Sequence, residues 1–116
     1  MIVAIQGTRN FDDYNIFLRA MGRALSELDQ DDKEFIIYAA GAANINSMGM
    51  EFSNISERSL KLRGIRIRLN KIPPSWIRQN ISSIDYLAYF SKPKEPVSDL
   101  VDLAESKSID VGIYRF

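Results

Sequence analysis

The chain opens Met1-Ile2-Val3-Ala4-Ile5-Gln6-Gly7-Thr8-Arg9-Asn10-Phe11-Asp12-Asp13-Tyr14. Five of the first six residues are apolar, and Ile2, Val3 and Ile5 are β-branched, which suits a strand buried on both faces. Gly7 ends the run; without a Cβ it can turn sharply. Thr8 and Arg9 then fall at the carboxyl end of the strand, the edge where open α/β sheets take their ligands.

The same grammar recurs downstream. Asp12 or Asp13 caps a first helix, whose stripe is Tyr14, Phe17, Leu18, Met21, Leu25 and Leu28 at three- and four-residue spacing. The polar link Asp29–Lys33 leads to a second strand, Glu34–Ala40, closed by Gly41. Residues 42–49 read as a loop of small and amide residues, with Ser47 as the cap of a second helix and Glu51 reinforcing its start. Met48, Phe52, Ile55 and Leu62 line one side of that helix, and Gly64 closes it.

Ile65-Arg66-Ile67-Arg68-Leu69 alternates strictly, marking a strand at a sheet edge. Pro73-Pro74-Ser75 starts a short helical segment through Trp76, Ile77 and Ile81. Ile84–Phe90 is a fourth strand. Val97, Leu100, Val101 and Ala104 form a last amphipathic helix, and Asp110–Phe116 is a fifth strand. Strands alternate with helices and no hairpin signal interrupts them. The expected fold is a single α/β domain over residues 1–116, a three-layer α/β/α sandwich with a five-stranded parallel sheet in the Rossmann-like order 3-2-1-4-5.

Composition narrows the chemistry. At 116 residues with 46% hydrophobic and 26% charged content, this is an ordinary globular chain with room for one core. Fifteen basic residues balance fifteen acidic ones, which gives no global drive toward nucleic acid or an anionic membrane. There is no cysteine and no histidine. Thiolate catalysis, disulfides, a histidine base and the usual zinc sites are therefore excluded, and neither a metal nor a cofactor is expected. The opening apolar run has no basic flank and is too short to span a bilayer, so the expected location is cytoplasmic.

Two clusters are candidates for ligand binding. Gly7, Thr8, Arg9 and Asn10 offer backbone N–H groups, a hydroxyl and a guanidinium whose planar fork fits a phosphate or carboxylate; the alternative is a tight turn with Arg9 paired to Asp12 or Asp13. Gly41, Ala42, Asn44 and Ser47 let a ligand approach the backbone near a helix N-terminus, or else form a loop whose amides satisfy themselves. Ser91, in Ser91-Lys92-Pro93-Lys94-Glu95 after the fourth strand, would complete the crevice, although such a charged loop also reads as simply solvated. Glu51 and Asp85 are the acids to consider for catalysis, with Asp85 also reading as the start of a strand. Trp76 beside Pro73-Pro74 reads as a lid packed on the core. Arg66 and Arg68, with Lys61, Arg63 and Lys71, read as a solvated edge that resists strand pairing, with a nucleic-acid contact as the less favoured alternative.

Ile5-Gln6-Gly7-Thr8-Arg9-Asn10-Phe11 resembles the strand followed by Gly-Ser-Arg-x-Phe of the SLOG superfamily, the Rossmann-like group that includes the DprA and LOG proteins and many small bacterial and phage nucleotide-sensor domains. Gly41-Ala42-Ala43 with Gly49-Met50-Glu51 is similar to a stretched form of its second motif. Arg78-Gln79-Asn80 before Asp85–Phe90 is similar to its Arg-Asn segment and Asp-led strand. The resemblance implies a nucleotide or nucleotide-derived ligand at the ends of strands one, two and four, and homodimers. It also implies a third possibility, a LOG-like phosphoribohydrolase that cleaves an N-glycosidic bond, with Glu51 as the acid and Arg9 as the phosphate anchor. The chain departs from the LOG pattern in the loop after the fourth strand, which has no glycine, and in the second-strand loop, which lacks paired glycines and an Arg. The expectation is therefore a binding domain rather than an enzyme. The lost glycines motivate a further alternative, a non-catalytic module that binds a partner protein, such as a phage-encoded modifier of a host enzyme.

Overall fold

A computed structural model describes residues 1–7, 10–40, 43–96 and 98–116. In chain order the elements are β1 (Ile2–Gly7), α1 (Tyr14–Leu25), β2 (Glu34–Ala40), α2 (Ala43–Leu62), β3 (Arg66–Ile72), α3 (Pro74–Gln79), a 3₁₀ turn (Ile81–Ser83), β4 (Tyr86–Ser91), α4 (Asp99–Ser106) and β5 (Asp110–Arg115). The strands form one sheet in the order β3-β2-β1-β4-β5, and every neighbouring pair is parallel. This is the expected Rossmann-like order, with β1 in the middle.

The sheet separates two apolar cores. Strand alternation sends Val3, Ile5, Ile37 and Phe90 into one, where they meet Phe17 and Met21 of α1 and Met48 and Phe52 of α2. Ala4, Leu87 and Tyr89 point into the other, against Ile77 of α3 and Leu100, Val101 and Ala104 of α4. Both faces of β1 and β4 are covered, which is why their sequences read as continuous apolar runs. Trp76 is half-buried and stacks on Tyr38 with ring centroids 4.2 Å apart, the packed lid its sequence context implied.

Local chemistry fixes the helix ends. Asp13 caps α1 by accepting a hydrogen bond from the Ile16 N–H at 3.1 Å. At the end of α2, Gly64 adopts φ +77° while the Ile65 N–H reaches the Leu60 carbonyl at 2.9 Å. The end of α4 repeats that motif with Ser108 at φ +60° and the Ile109 N–H bonded to the Ala104 carbonyl at 3.0 Å.

One boundary differs from the sequence reading. α2 begins at Ala43, so Ser47 lies inside the helix and does not cap it. Ile45 and Met48 are both buried, and their spacing puts them on one helical face, so the earlier start buries an extra apolar residue. Gly49 is tolerated mid-helix because a methyl there would sit 3.2 Å from Leu69 Cδ1; the helix lies close on the sheet at that point. β3 also continues to Ile72, because all seven of its residues pair with Glu34–Ala40 of β2.

Candidate functional site

The order in which strands are added to the sheet reverses between β1 and β4: β2 and β3 are laid down on one side of β1, then the chain crosses back to place β4, still parallel, on the other. At the carboxyl ends of parallel strands such a switch point leaves a crevice, because the flanking connections diverge. A cavity of about 260 Å³ opens there on the α3–α4 side, lined by Gln6 of β1, Pro74, Ser75 and Arg78 of α3, and Ser98, Asp99 and Leu100 at the start of α4.

Its walls are polar where they meet the sheet. The Gln6 Oε1 atom is buried and has no hydrogen-bond partner among the described residues. Alternation along β1 points this side chain to the α3–α4 face, the same side as Ala4. Ser98 caps α4, its Oγ accepting from the Leu100 N–H at 3.2 Å. Arg78 Nη2 donates to Asp99 Oδ1 at 2.7 Å, a bridge that ties α3 to the first residue of α4 across the rim. Both side chains are at least half exposed, so the bridge itself contributes little to stability. Its bearing on the site is that it holds a guanidinium over the opening.

The sequence-predicted residues divide into groups. Thr8, Arg9, Gly41 and Ala42 lie outside the described residues. Gly7 ends β1, but the room left by its missing side chain is filled from the α1–α2 side. A methyl there would lie 2.8 Å from Ile45 Cδ1, 3.0 Å from Phe90 Cβ and 3.2 Å from the Phe90 carbonyl oxygen. Gly7 therefore lets the start of α2 pack against β1. Four residues on, Phe11 is fully buried and stacks on Phe90 with ring centroids 4.3 Å apart. Asn10 is exposed, and Asn44 and Ser47 are exposed on the first turns of α2.

Ser91 is fully buried at the end of β4, and its hydroxyl is already engaged. Arg115 Nη1 donates to Ser91 Oγ at 2.7 Å and to the carbonyls of Lys92 at 2.9 Å and Glu95 at 3.1 Å. One nitrogen thus gathers the glycine-free loop after β4. Glu51 is exposed on α2; burial of the Tyr14 hydroxyl, and after it the Glu51 charge, push that hydroxyl above its ordinary range. Tyr14 and Glu51 belong to the α1–α2 side and the Gln6 crevice to the α3–α4 side, so the structure does not bring Glu51 to that crevice. Asp85 sits at the opposite edge, where Oδ2 accepts from the Ile2 N–H at 2.7 Å.

Gln6, Arg78 and Ser98 are the lining residues that site reasoning from sequence missed. The signals were present: Gln6 is the one polar side chain in an apolar strand, Arg78 was visible only as part of a motif, and Ser98-Asp99-Leu100 is a helix-start pattern. A larger cleft of about 600 Å³ lies at the amino ends of β2 and β3, walled by Glu34, Glu57, Lys61 and Arg66 among others. That edge of a parallel sheet carries no converging helix N-termini, and Glu34 there is held by Arg68 at 3.0 Å. No helix among the described residues is long and apolar enough to cross a membrane. Comparison of the chain with protein-family models, curated proteins and solved structures finds no match.

Proposed function

We propose that the chain is a SLOG-like domain that binds a nucleotide or nucleotide-derived, phosphate-containing ligand at the carboxyl ends of its strands, without catalysing a reaction on it. The observation that carries the reading is the crevice at the β1/β4 switch point, where a buried acceptor on Gln6, a guanidinium on Arg78 and the capped N-terminus of α4 converge. Gln6 suits the amide or amino edge of a base. Arg78 and the helix N-terminus suit an anion. Arg9, which follows β1 by two residues in sequence, is the second phosphate anchor.

In this reading Asp99 competes with the ligand for Arg78, because the same guanidinium nitrogen that would meet a phosphate donates to its carboxylate. Isothermal titration with a panel of nucleoside monophosphates, diphosphates and cyclic dinucleotides tests it. Wild type binds at least one member. Arg9→Ala and Arg78→Ala each weaken binding about ten- to a hundredfold, the worth of a hydrogen bond to a charged group. Asp99→Asn strengthens it. No binding anywhere in the panel, or binding indifferent to all three substitutions, would overturn the reading.

A further inference from the structure

β3 is the outer strand at one border of the sheet, and among the described residues it pairs only with β2. Its seven residues run in unbroken register, with no bulge and no proline to blunt the border. One bond fixes which way each backbone group points: the Arg66 N–H donates at 2.9 Å to the carbonyl of Lys33, the residue before β2. These groups alternate along a strand, so Arg66, Arg68 and Asn70 turn their N–H and C=O groups to β2. Ile67, Leu69 and Lys71 turn theirs outward, and no other described segment bonds to them. Such a row is a template for one more strand.

The side chains say what kind of strand fits. Ile67 and Leu69 belong to the core on the α1–α2 side, so Arg66, Arg68 and Asn70 project from the opposite face, where all three are exposed. Lys71, on the α1–α2 face, is exposed as well. At its amino end the strand enters the cleft of about 600 Å³, where Lys33 and Lys61 join Arg66 against Glu34 and Glu57. Glu34 is already held by Arg68 at 3.0 Å. A chain of zero net charge thus has one cationic border. β5, at the other border, carries Asp110 and Arg115 of opposite sign, and Arg115 is turned to the loop after β4. An antiparallel second copy of β3 would bring its own Arg66 and Arg68 onto the same face as these two, like charge against like. A strand with carboxylates at alternate positions meets the two guanidiniums with opposite charge and the outward backbone row with its own. A nucleic acid would meet the guanidiniums alone and leave that row unpaired.

We infer that this border docks an extended acidic segment of another protein, which adds to β3 as an antiparallel sixth strand of the sheet. The surface is separate from the Gln6 crevice and does not depend on the ligand reading. Fluorescence anisotropy at low ionic strength tests it, with a labelled, end-blocked peptide that alternates glutamate and threonine and is long enough to span β3. Wild type binds this peptide and neither its lysine–threonine counterpart nor a thymidine oligonucleotide. Backbone methylation separates strand addition from mere charge attraction. Glutamates opposite Arg66 and Arg68 sit at non-hydrogen-bonded positions, whereas the threonines opposite Ile67 and Leu69 face the outward row. N-methylation of the threonines therefore abolishes binding, and N-methylation of the glutamates leaves it. Arg66→Ala and Arg68→Ala each weaken binding about threefold, the worth of an exposed ion pair, and the double variant Arg66→Glu, Arg68→Glu transfers the preference to the lysine peptide. Both side chains are exposed, so the variants keep the wild-type circular dichroism spectrum. No binding of the glutamate peptide overturns the inference, as does an oligonucleotide bound as tightly, a preference that the double variant leaves unchanged, or equal binding of the two methylated peptides.

Discussion

Replacing Gly7 with alanine places a methyl carbon 2.8 Å from Ile45 Cδ1, 3.0 Å from Phe90 Cβ and 3.2 Å from the Phe90 carbonyl oxygen. Ordinary carbon contacts sit at about 3.5–4.0 Å, so the closest of these is too short by more than half an ångström. Ile45 and Phe90 are both fully buried, so neither can yield by swinging into solvent, and protein interiors are close-packed. Overpacking of this kind costs about 1–3 kcal/mol; for Gly7→Ala we expect about 2 kcal/mol, a fall in melting temperature of about 8 °C for a domain of this size. Ile45→Val alone deletes Cδ1 and should cost about 1 kcal/mol as a core truncation. If the two sites were independent, the double variant would lose about 3 kcal/mol. Because Cδ1 is the atom the new methyl meets first, the double variant should lose only about 1.5 kcal/mol, a coupling well above the ~0.5 kcal/mol scatter of additive pairs. Urea unfolding followed by far-ultraviolet circular dichroism measures all four proteins. A Gly7→Ala variant as stable as wild type, or an additive double variant, would refute the packing role of Gly7.

Three further outcomes are expected. Ser108→Gly relieves the left-handed backbone at the end of α4 and should raise stability by about 1 kcal/mol, whereas Gly64→Ala, at the matching position after α2, should lower it by about as much; thermal melts of both decide. The Glu27 carboxyl is held above its ordinary value near 4.5 by its hydrogen bond with Asp110, then by burial, with Arg23 opposing. A raised carboxyl stabilises the fold most when protonated, so this contribution is full below about pH 4.5 and fades as pH rises through the raised value; Glu27→Gln should flatten that part of the stability–pH curve, and an unchanged slope would count against it. Arg115→Met removes the three hydrogen bonds that gather Ser91, Lys92 and Glu95, so limited proteolysis should cut the loop after β4 faster than in wild type while β1 and β2 stay protected.

Sheet order was legible because β1 and β4 are buried on both faces and β3 alternates, so each strand's apolar pattern reports its position in the sheet. The start of α2 was hidden because Gly41-Ala42-Ala43 and Gly49 look like loop chemistry; what makes the segment helical is the burial of Ile45 against Gly7, a contact between residues 38 positions apart. Ser91 showed the opposite failure. A serine at a strand end reads as a ligand hydroxyl, and only the register of β4 with β5, which sets Ser91 beside Arg115, shows that its hydroxyl is engaged within the chain. The cavity at the carboxyl edge has walls from α3 and α4, whose approach to Gln6 depends on the crossover and not on any local signal.

The strand order also divides the molecule kinetically. Residues 1–72 supply β1, β2 and β3, residues 86–115 supply β4 and β5, and among the strands the halves are joined by the single ladder from Val3↔Tyr86 to Gly7↔Phe90. That ladder closes a loop of some eighty residues, so it belongs among the late events of folding. The Gln6 crevice straddles this join, with one wall from the first half and another from the second. A ligand bound there, as proposed above, would act as a clasp, and amide exchange along β4 and β5 would slow when it is filled.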